Sequence, residues 1–156
     1  AQAVLDKGAD VIAMHQDSTA AGEKAEAAGA RWVSYNSDMR AFAPNAFLTA
    51  PVWNWGPRYV EIIEDAKAGN YSPTAYWGSM ADGIVDLAPI ASDVDQSVVD
   101  MVMEAKAAII SGDLHPFTGP INDQDGNQVL GAGEVMDDGA MLGMMFFVEG
   151  VIGSTG

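Results

Sequence analysis

The chain has 156 residues, 49% of them hydrophobic, and carries 22 acidic but only 7 basic side chains, which gives a formal net charge of −15 at pH 7. This size and composition are typical of one globular domain, and the charge argues against nucleic acid or an anionic membrane as a partner, because clustered Lys and Arg bind both. The absence of cysteine excludes disulfides, thiolate nucleophiles and cysteine-ligated zinc.

The first third of the chain alternates predicted strands with a helix. It opens with the last turns of a helix that Gly8 closes, so we expect the chain to begin inside a structural element. The short apolar runs 11–14, 32–35 and 46–49 predict strands, and a capped helix is expected over 18–28. Strand–helix–strand units of this kind predict a parallel sheet with helices on its faces.

Polar residues follow the first two predicted strands, at 15–18 and 36–38. In open parallel sheets, ligands bind at the carboxyl ends of the strands, so both clusters stand where binding residues are expected. A metal role is not favoured for His15 or His115, because neither has a nearby partner at metal-ligand spacing.

A second helix is predicted from Pro57 to Gly69, because Pro suits a first helical turn and apolar residues recur behind it with helical spacing. Two tryptophans precede this helix. We expect Trp53 to lie in the core, whereas a ligand platform and a core position are equally favoured for Trp55.

The next stretch contains a loop with glycine at both ends, between two runs of strand character at 75–77 and 84–88. Trp77 stands at one end of the loop and Asp82 near the other. A pocket for a flat polar ligand would use this pair, as a face to stack on and a hydrogen-bond acceptor. From these residues alone, a strand, turn and strand with Trp77 in the core is favoured.

A long third helix is expected from an acidic cap near 92–95 to Gly112. Asp125-Gly126 is predicted to form a hairpin turn. It is not a calcium loop, because Ile and Ala would occupy the first and last ligand positions. The apolar run 137–151 is too continuous for a surface helix, so we expect it to pack on both sides or against a partner.

Several phrases, in chain order, resemble the basic membrane protein family of solute-binding proteins, whose members serve ABC importers and whose characterised branches bind purine nucleosides or nucleobases. They stand at 8–12 with 15–18, 37–39 with 42–44, 54–59, 77–83, 115–121 with 124–126, and 148–151. No single phrase is specific, but together they cover nearly the whole chain.

The resemblance implies an α/β fold: the parallel-sheet lobe of a type I periplasmic binding protein, incomplete because the N-terminal lobe is missing. Residues 1–156 would be the C-terminal portion of a two-lobed protein, and 53–76 would cross toward the missing N-terminal lobe. We therefore expect this part to fold poorly alone, since it would expose apolar surface.

By position, the resemblance implies that eight residues face the ligand: Gln16, Asp17, Asn36, Asp38, Asn54, Trp55, Trp77 and Asp82. Trp77 would stack on a purine, and Asp82 would accept hydrogen bonds from ring N–H groups, an amine or ribose hydroxyls. Many relatives carry a Lys just before the acidic residue of this loop, where Met80-Ala81 stand here. The lost donor favours a base, or another small solute, over a nucleoside.

The implied function is an extracytoplasmic subunit that closes on its solute by a hinge motion and delivers it to a membrane permease, without cofactor, metal or covalent chemistry. An upstream lipid anchor would hold it at the membrane. Two alternatives stay open: a ligand-sensing regulatory module with the same lobes, and an α/β hydrolase that uses Asp17 and Asp38.

Overall fold

A computed structural model describes residues 1–154. The chain divides into two compact units, Ala1–Ile110 and Ser111–Gly156. The helices of the first unit are α1 Gln2–Leu5, α2 Ala20–Ala27, α3 Gly56–Ala68 and α4 Gln96–Ser111, with a 3-10 turn at Arg40–Phe42. Its strands are β1 Val11–Ala13, β2 Arg31–Val33, β3 Phe47–Thr49, β4 Pro51–Trp53 and β5 Val85–Leu87.

The first three strands form a parallel sheet in the order β1-β2-β3. Ile12 lies opposite Trp32, and Trp32 lies opposite Phe47. Each predicted apolar run supplies one of these strands, and α2 connects the first two. The expected α/β fold with a parallel sheet is therefore confirmed.

The core of this unit lies where α2 packs on the sheet. Trp32 and Phe47 are fully buried there, with their rings edge to face at a centroid distance of 6.2 Å. Gly22 in α2 faces the same ring: a Cβ at this position would overlap the six-membered ring of Trp32. The helix approaches the sheet this closely because position 22 has no side chain.

Two arginines fasten the chain after β5 to the sheet. Arg31 donates from Nη1 and Nη2 to the two carboxylate oxygens of Asp93, at 2.6 and 2.9 Å. These bonds lower the pKa of Asp93 and raise that of Arg31. Arg40 donates to the carbonyl oxygen of Pro89 at 2.7 Å and lies over the ring of Phe47. The two-point charged bond between Arg31 and Asp93 fixes the orientation of the two side chains as well as their distance.

The segment 51–87, which we call the arm, leaves and rejoins this sheet region through β4 and β5. These two strands pair antiparallel, with Val52 opposite Asp86, and α3 lies between them in the chain. No residue of α3 is buried. More than half of each of Tyr59, Val60 and Ile63 is exposed to solvent, so the apolar face that the helical spacing predicted is uncovered in this chain.

Three sequence predictions about the arm are wrong. The core position that the loop residues alone favoured for Trp77 is not observed, because its side chain is mostly exposed. The run 75–77 forms no strand, because Tyr76 packs its ring under Arg58 and no other described strand pairs with this run. Trp53 is not a core residue: it is 45% exposed, and its indole Nε1 donates to Asn36 instead. The predicted strand at 84–88 is confirmed, as Val85–Leu87.

The third helix is confirmed in α4. The Asp95 carboxylate accepts hydrogen bonds from the N–H and hydroxyl groups of Ser97, as a cap does, and this lowers the pKa of Asp95. Gly112, just past the helix, has a φ of 83°. No helix among residues 1–154 is long and apolar enough to cross a membrane.

The second unit contains the antiparallel strands β6 Ile121–Asn122 and β7 Gln128–Leu130 and the short helix α5 Asp138–Leu142. The predicted hairpin turn is present, with Gly126 at a φ of 81°. The Asp123 carboxylate accepts hydrogen bonds from the backbone of Asp125 and Asn127, which makes it a turn residue.

Packing on both sides of the run 137–151 is not observed. Leu142 and Met145 are 71% and 78% exposed. The helix that forms there is only five residues long, so most of the apolar run lies beyond its end. A partner for this run remains a prediction.

Candidate ligand-binding site

An open cavity of about 360 Å³ in the arm is lined mainly by aromatic side chains. We call it the aromatic cleft, and its lining residues are Trp53, Trp55, Tyr76, Trp77, Gly78, Ile84 and Val85. Trp77 is 62% exposed, an unusual position for so large an apolar ring. The cleft therefore offers solvent several aromatic faces, and its volume is within the range of about 300–1,000 Å³ found for small-molecule sites.

The backbone of the arm explains how these rings come together. Trp53 ends β4 directly opposite Val85 of β5. Trp55 follows at the start of α3 and stacks on Tyr59 one turn later, with nearly parallel rings at a centroid distance of 6.0 Å. Gly78 is needed beside them, because a Cβ there would lie only 2.5 Å from the Tyr76 hydroxyl.

A second cavity of about 210 Å³ adjoins the aromatic cleft at Tyr76 and is mostly polar. We call it the polar cavity, and it is lined by Asn54, Pro57, Arg58, Glu61, Tyr76, Asp82, Gly83 and Ile84. Tyr76 and Ile84 line both cavities. They therefore form the wall that the two cavities share.

Asp82 shapes the loop that borders the polar cavity. Its Oδ2 accepts hydrogen bonds from the Ser79 hydroxyl at 2.7 Å and the Ser79 backbone N–H at 2.8 Å. These two bonds lower the pKa of Asp82 below the ordinary aspartate value, so the carboxylate is ionised at neutral pH. It is an acceptor already oriented by its own loop and suited to a ligand N–H or hydroxyl.

The sequence did not single out Arg58. Its Nη1 lies 2.7 Å from the Glu61 carboxylate, and its guanidinium carbon lies 4.5 Å from the Tyr76 ring centroid. The hydrogen bond that Arg58 donates to Glu61 raises the pKa of Arg58. The Nε atom is buried and has no hydrogen-bond partner among the described residues. Arg58 stands four residues after Asn54, which was an available signal of a shared position. Helical periodicity, however, identifies only the apolar face of α3 and does not single out a charged residue.

Asn36 connects the end of β2 to the aromatic cleft. Its side-chain oxygen accepts a hydrogen bond of 2.6 Å from Trp53 Nε1, and its φ of 61° lies in the left-handed region. Asn tolerates that region better than most residues do. In this geometry Asn36 holds an aromatic wall of the cleft.

The structure thus brings five of the eight predicted residues to one region. They are Asn36, Asn54, Trp55, Trp77 and Asp82. Gln16, Asp17 and Asp38 follow their strands but line neither cavity. Asp38 instead accepts a hydrogen bond from the backbone of Arg40. Among residues 1–154, no group of three His, Asp or Glu side chains is placed to hold a metal ion.

A family model described as ABC transporter substrate-binding protein PnrA-like (Bmp) matches residues 1–113. The chain belongs to this family. It is 43% identical over 151 residues to a purine-binding protein of Brucella abortus, and 32% identical over 153 residues to TsgA13 of Haloferax volcanii, whose name describes an ABC transporter glucose-binding protein. These matches cover 97% and 98% of the chain but only 43% and 37% of those two proteins.

Two solved structures share the fold of this Bmp chain. One is a transcriptional activator of the comK gene from Bacillus halodurans, with a TM-score of 0.64 and 20% identity over 74% of this chain and 41% of that one. The other is an ABC transporter solute-binding protein from Conexibacter woesei, with a TM-score of 0.53 and 21% identity over 73% of this chain and 39% of that one.

Membership in the Bmp family confirms the resemblance drawn from the sequence phrases. The family consists of extracytoplasmic substrate-binding proteins of ABC transporters, which bind their solutes and do not transform them. This contradicts the hydrolase alternative built on Asp17 and Asp38. The sensing alternative remains a prediction, because likeness at this level of identity concerns the fold alone.

Proposed function

We propose that this chain forms the ligand-holding part of an ABC importer's solute-binding subunit and that its solute is a purine nucleobase or nucleoside. The observation that carries the proposal is the aromatic cleft, where Trp77 offers an exposed ring beside three other aromatic side chains. The name of the Brucella abortus relative supports the same ligand class. A flat heteroaromatic ring fits such a cleft, because it buries two apolar faces while its edges stay polar.

Two polar groups of the adjoining polar cavity match the edge of a purine. Asp82 is an ionised acceptor for ring N–H or amine donors, and Asn54 supplies an amide that both donates and accepts. Asn36 contributes indirectly, because its hydrogen bond orients Trp53. Hydrogen bonds of this kind fix the orientation of a ligand whose binding free energy comes largely from stacking.

Closure of a second lobe over the arm would complete the site. The uncovered apolar face of α3, made by Tyr59, Val60 and Ile63, is where we propose that the N-terminal lobe packs. The arm, which includes 53–76, would then be the part that crosses to it, with β4 and β5 as the connections that bend. Gln16, Asp17 and Asp38, at the carboxyl edge of the sheet, would approach the ligand on closure.

The closed, loaded protein would deliver its solute to a membrane permease from the extracytoplasmic side, where an upstream lipid anchor would retain it. The acidic surface is compatible with this role, since a formal charge of −15 disfavours adhesion to anionic lipid headgroups. An interaction with the permease would therefore depend on a local surface of the protein.

The test is a titration of intrinsic tryptophan fluorescence in the full-length natural protein with adenine, guanine, adenosine, guanosine, inosine and xanthine. We expect saturable quenching by a purine. Trp77→Leu should weaken binding about fivefold or more, because stacking of one base on an aromatic ring is worth roughly 1–3 kcal/mol.

The matched control is Tyr71→Leu, which removes an exposed aromatic ring of the arm that lines neither cavity. It should leave the affinity unchanged. A folded protein that responds to none of these purines would refute the purine ligand while leaving the family assignment intact.

A further inference from the structure

Four aromatic side chains of the arm line one open cavity, the aromatic cleft: Trp53, Trp55, Tyr76 and Trp77. All four are partly exposed to solvent. The indole Nε1 of Trp53 already donates to Asn36, so this ring offers the cleft little besides its apolar surface. Ring faces of this kind stack on flat ligands, but they also carry partial negative charge, which attracts cations.

One of these rings already holds a cation of the chain itself. The Arg58 guanidinium carbon lies 4.5 Å from the centroid of the Tyr76 ring, within the distance of about 6 Å over which a cation and a ring attract each other. Arg58 lines the polar cavity but not the aromatic cleft. The contact shows that an aromatic ring of this site serves as a cation acceptor.

The charges near the cleft favour a positive ligand. None of the seven described residues that line the cleft is charged. In the adjoining polar cavity, the carboxylates of Glu61 and Asp82 outnumber the single guanidinium of Arg58, so that lining has a net negative charge. The whole chain has a formal charge of −15, and an excess of one sign raises the local concentration of ions of the other. The field at the cleft therefore favours a cation over a neutral ligand, and a neutral ligand over an anion.

The mainly apolar lining of the cleft decides which kind of cation fits. A primary ammonium loses strong hydration on entering such a site and needs hydrogen-bond acceptors in return. A quaternary ammonium has no N–H group, so its methyl groups pack on the rings without leaving a donor unsatisfied. A hydroxyl joined to it by a short chain would bond to Asp82 or Asn54 in the polar cavity, whereas a carboxylate there would be repelled by Glu61 and Asp82.

We propose that the aromatic cleft takes a second class of ligand, small quaternary ammonium alcohols of the choline type, in competition with the purine. The inference shares the cleft with the proposed function but does not depend on the purine ligand. The trimethylammonium group would lie among the aromatic rings. Its hydroxyl would reach the polar cavity, which adjoins the cleft at Tyr76.

The test is a calorimetric titration of the full-length natural protein with three related probes. They are choline, glycine betaine, which carries a carboxylate where choline carries its alcohol, and dimethylbutanol, which has the shape of choline with carbon in place of the charged nitrogen. Choline should bind saturably and at least fivefold more tightly than dimethylbutanol, because it alone of these two has the charge that the rings attract. Betaine should bind more weakly than choline, and adenine should displace bound choline.

Two pairs of variants locate the ring and the charge. Trp77→Leu should weaken choline binding about fivefold, whereas Trp77→Tyr keeps an aromatic face and should retain more of the affinity. Glu61→Gln removes a carboxylate from the polar cavity and should weaken choline binding about threefold, the size expected for one partly exposed charge. Its matched control is Glu64→Gln, which makes the same change of charge in α3 outside both linings and should have little effect.

The outcomes distinguish this inference from the proposed function. Adenine binding without choline binding would overturn the inference and leave the purine function standing, and so would equal affinities for choline and dimethylbutanol. Choline binding that neither adenine nor Trp77→Leu diminishes would place the cation outside the cleft and overturn the inference as well. Choline binding without any purine binding would support the inference and overturn the purine function. A folded protein that binds neither ligand would overturn both.

Discussion

The parallel sheet and the arm use the same kinds of side chain in opposite ways. In the sheet, Trp32 is fully buried between α2 and Phe47. In the arm, Trp77 is 62% exposed and α3 buries none of its residues. Burying a large aromatic ring stabilises the fold, whereas leaving one in water forgoes that gain. The difference indicates that the sheet is the stable support and that the arm carries the surface available for binding.

The largest expected effect compares one substitution in both regions. Trp32→Ala should lower the free energy of unfolding by about 3–5 kcal/mol, because it leaves a cavity in a close-packed core. Trp77→Ala should change it by less than about 0.5 kcal/mol, since its ring is mostly in solvent. Urea unfolding followed by circular dichroism measures both. Equal losses at the two positions would contradict the division between support and binding surface.

A glycine pair sharpens the same comparison. Gly22→Ala should destabilise the protein by about 1–3 kcal/mol, because the new methyl group overlaps the ring of Trp32 and the helix must move away. Gly56→Ala, at the start of α3, meets only one atom of Asn54 at 3.9 Å and should be nearly neutral. The thermal unfolding midpoint of Gly22→Ala should therefore be clearly lower than that of Gly56→Ala. Coincident unfolding curves would show that α2 does not pack on Trp32 as described.

Asn36 joins the two regions, so its substitution should have an intermediate effect. Asn36→Ala loses the bond to Trp53 and places an alanine at a φ of 61°, which together should cost about 1–2 kcal/mol. Asn36→Gly loses the same bond but accepts that backbone angle, so it should be less destabilised than the alanine variant. The measurement is urea unfolding, and an alanine variant as stable as the glycine one would argue against the left-handed conformation.

The smallest expected effect concerns pH and the pair Arg31–Asp93. The hydrogen bonds from Arg31 lower the folded-state pKa of Asp93 below the ordinary value of about 3.9. Stability from a depressed carboxyl pKa is present above the unfolded-state pKa and is lost as the pH falls through the folded-state pKa. The destabilisation caused by Asp93→Asn should therefore be seen at pH 7, begin to shrink as the pH falls below about 4, and disappear once the pH is below the folded-state pKa of Asp93.

The control for this pH effect is the same substitution in an Arg31→Gln background, where the donor is absent. There, Asp93→Asn should have little effect at any pH. A pH dependence that persists without the arginine would show that another group is responsible.

The sheet was largely predictable from sequence because its strands are short apolar runs separated by a capped helix. The pattern located β1, β2 and β3 to within two residues. The pairing of β4 with β5 was not predicted, because the two strands are separated by 31 residues of chain. Periodicity within a strand does not show which other strand it pairs with. The error at Trp53 has a related cause: aromatic strand residues usually pack inward, but here a polar partner, Asn36, lies within reach.

The candidate site was predictable only in part. The glycine-bounded loop drew attention to Trp77 and Asp82, but its residues alone favoured a core position for Trp77, and only the family resemblance turned both toward a ligand. Arg58 and Tyr76 were not found from sequence, because their importance depends on a contact across 18 residues of chain. Such a contact arises from the path of the arm, which local propensities do not determine.

The measurement that tests the account most directly is a calorimetric titration of the full-length natural protein with adenine and, in parallel, with glucose. These ligands represent the names of the two relatives, purine-binding and glucose-binding. If the aromatic cleft holds a flat heteroaromatic ring, adenine should bind saturably and glucose should not bind. Saturable binding of glucose without any adenine response would contradict the central claim that the exposed aromatic rings of the arm form a purine site.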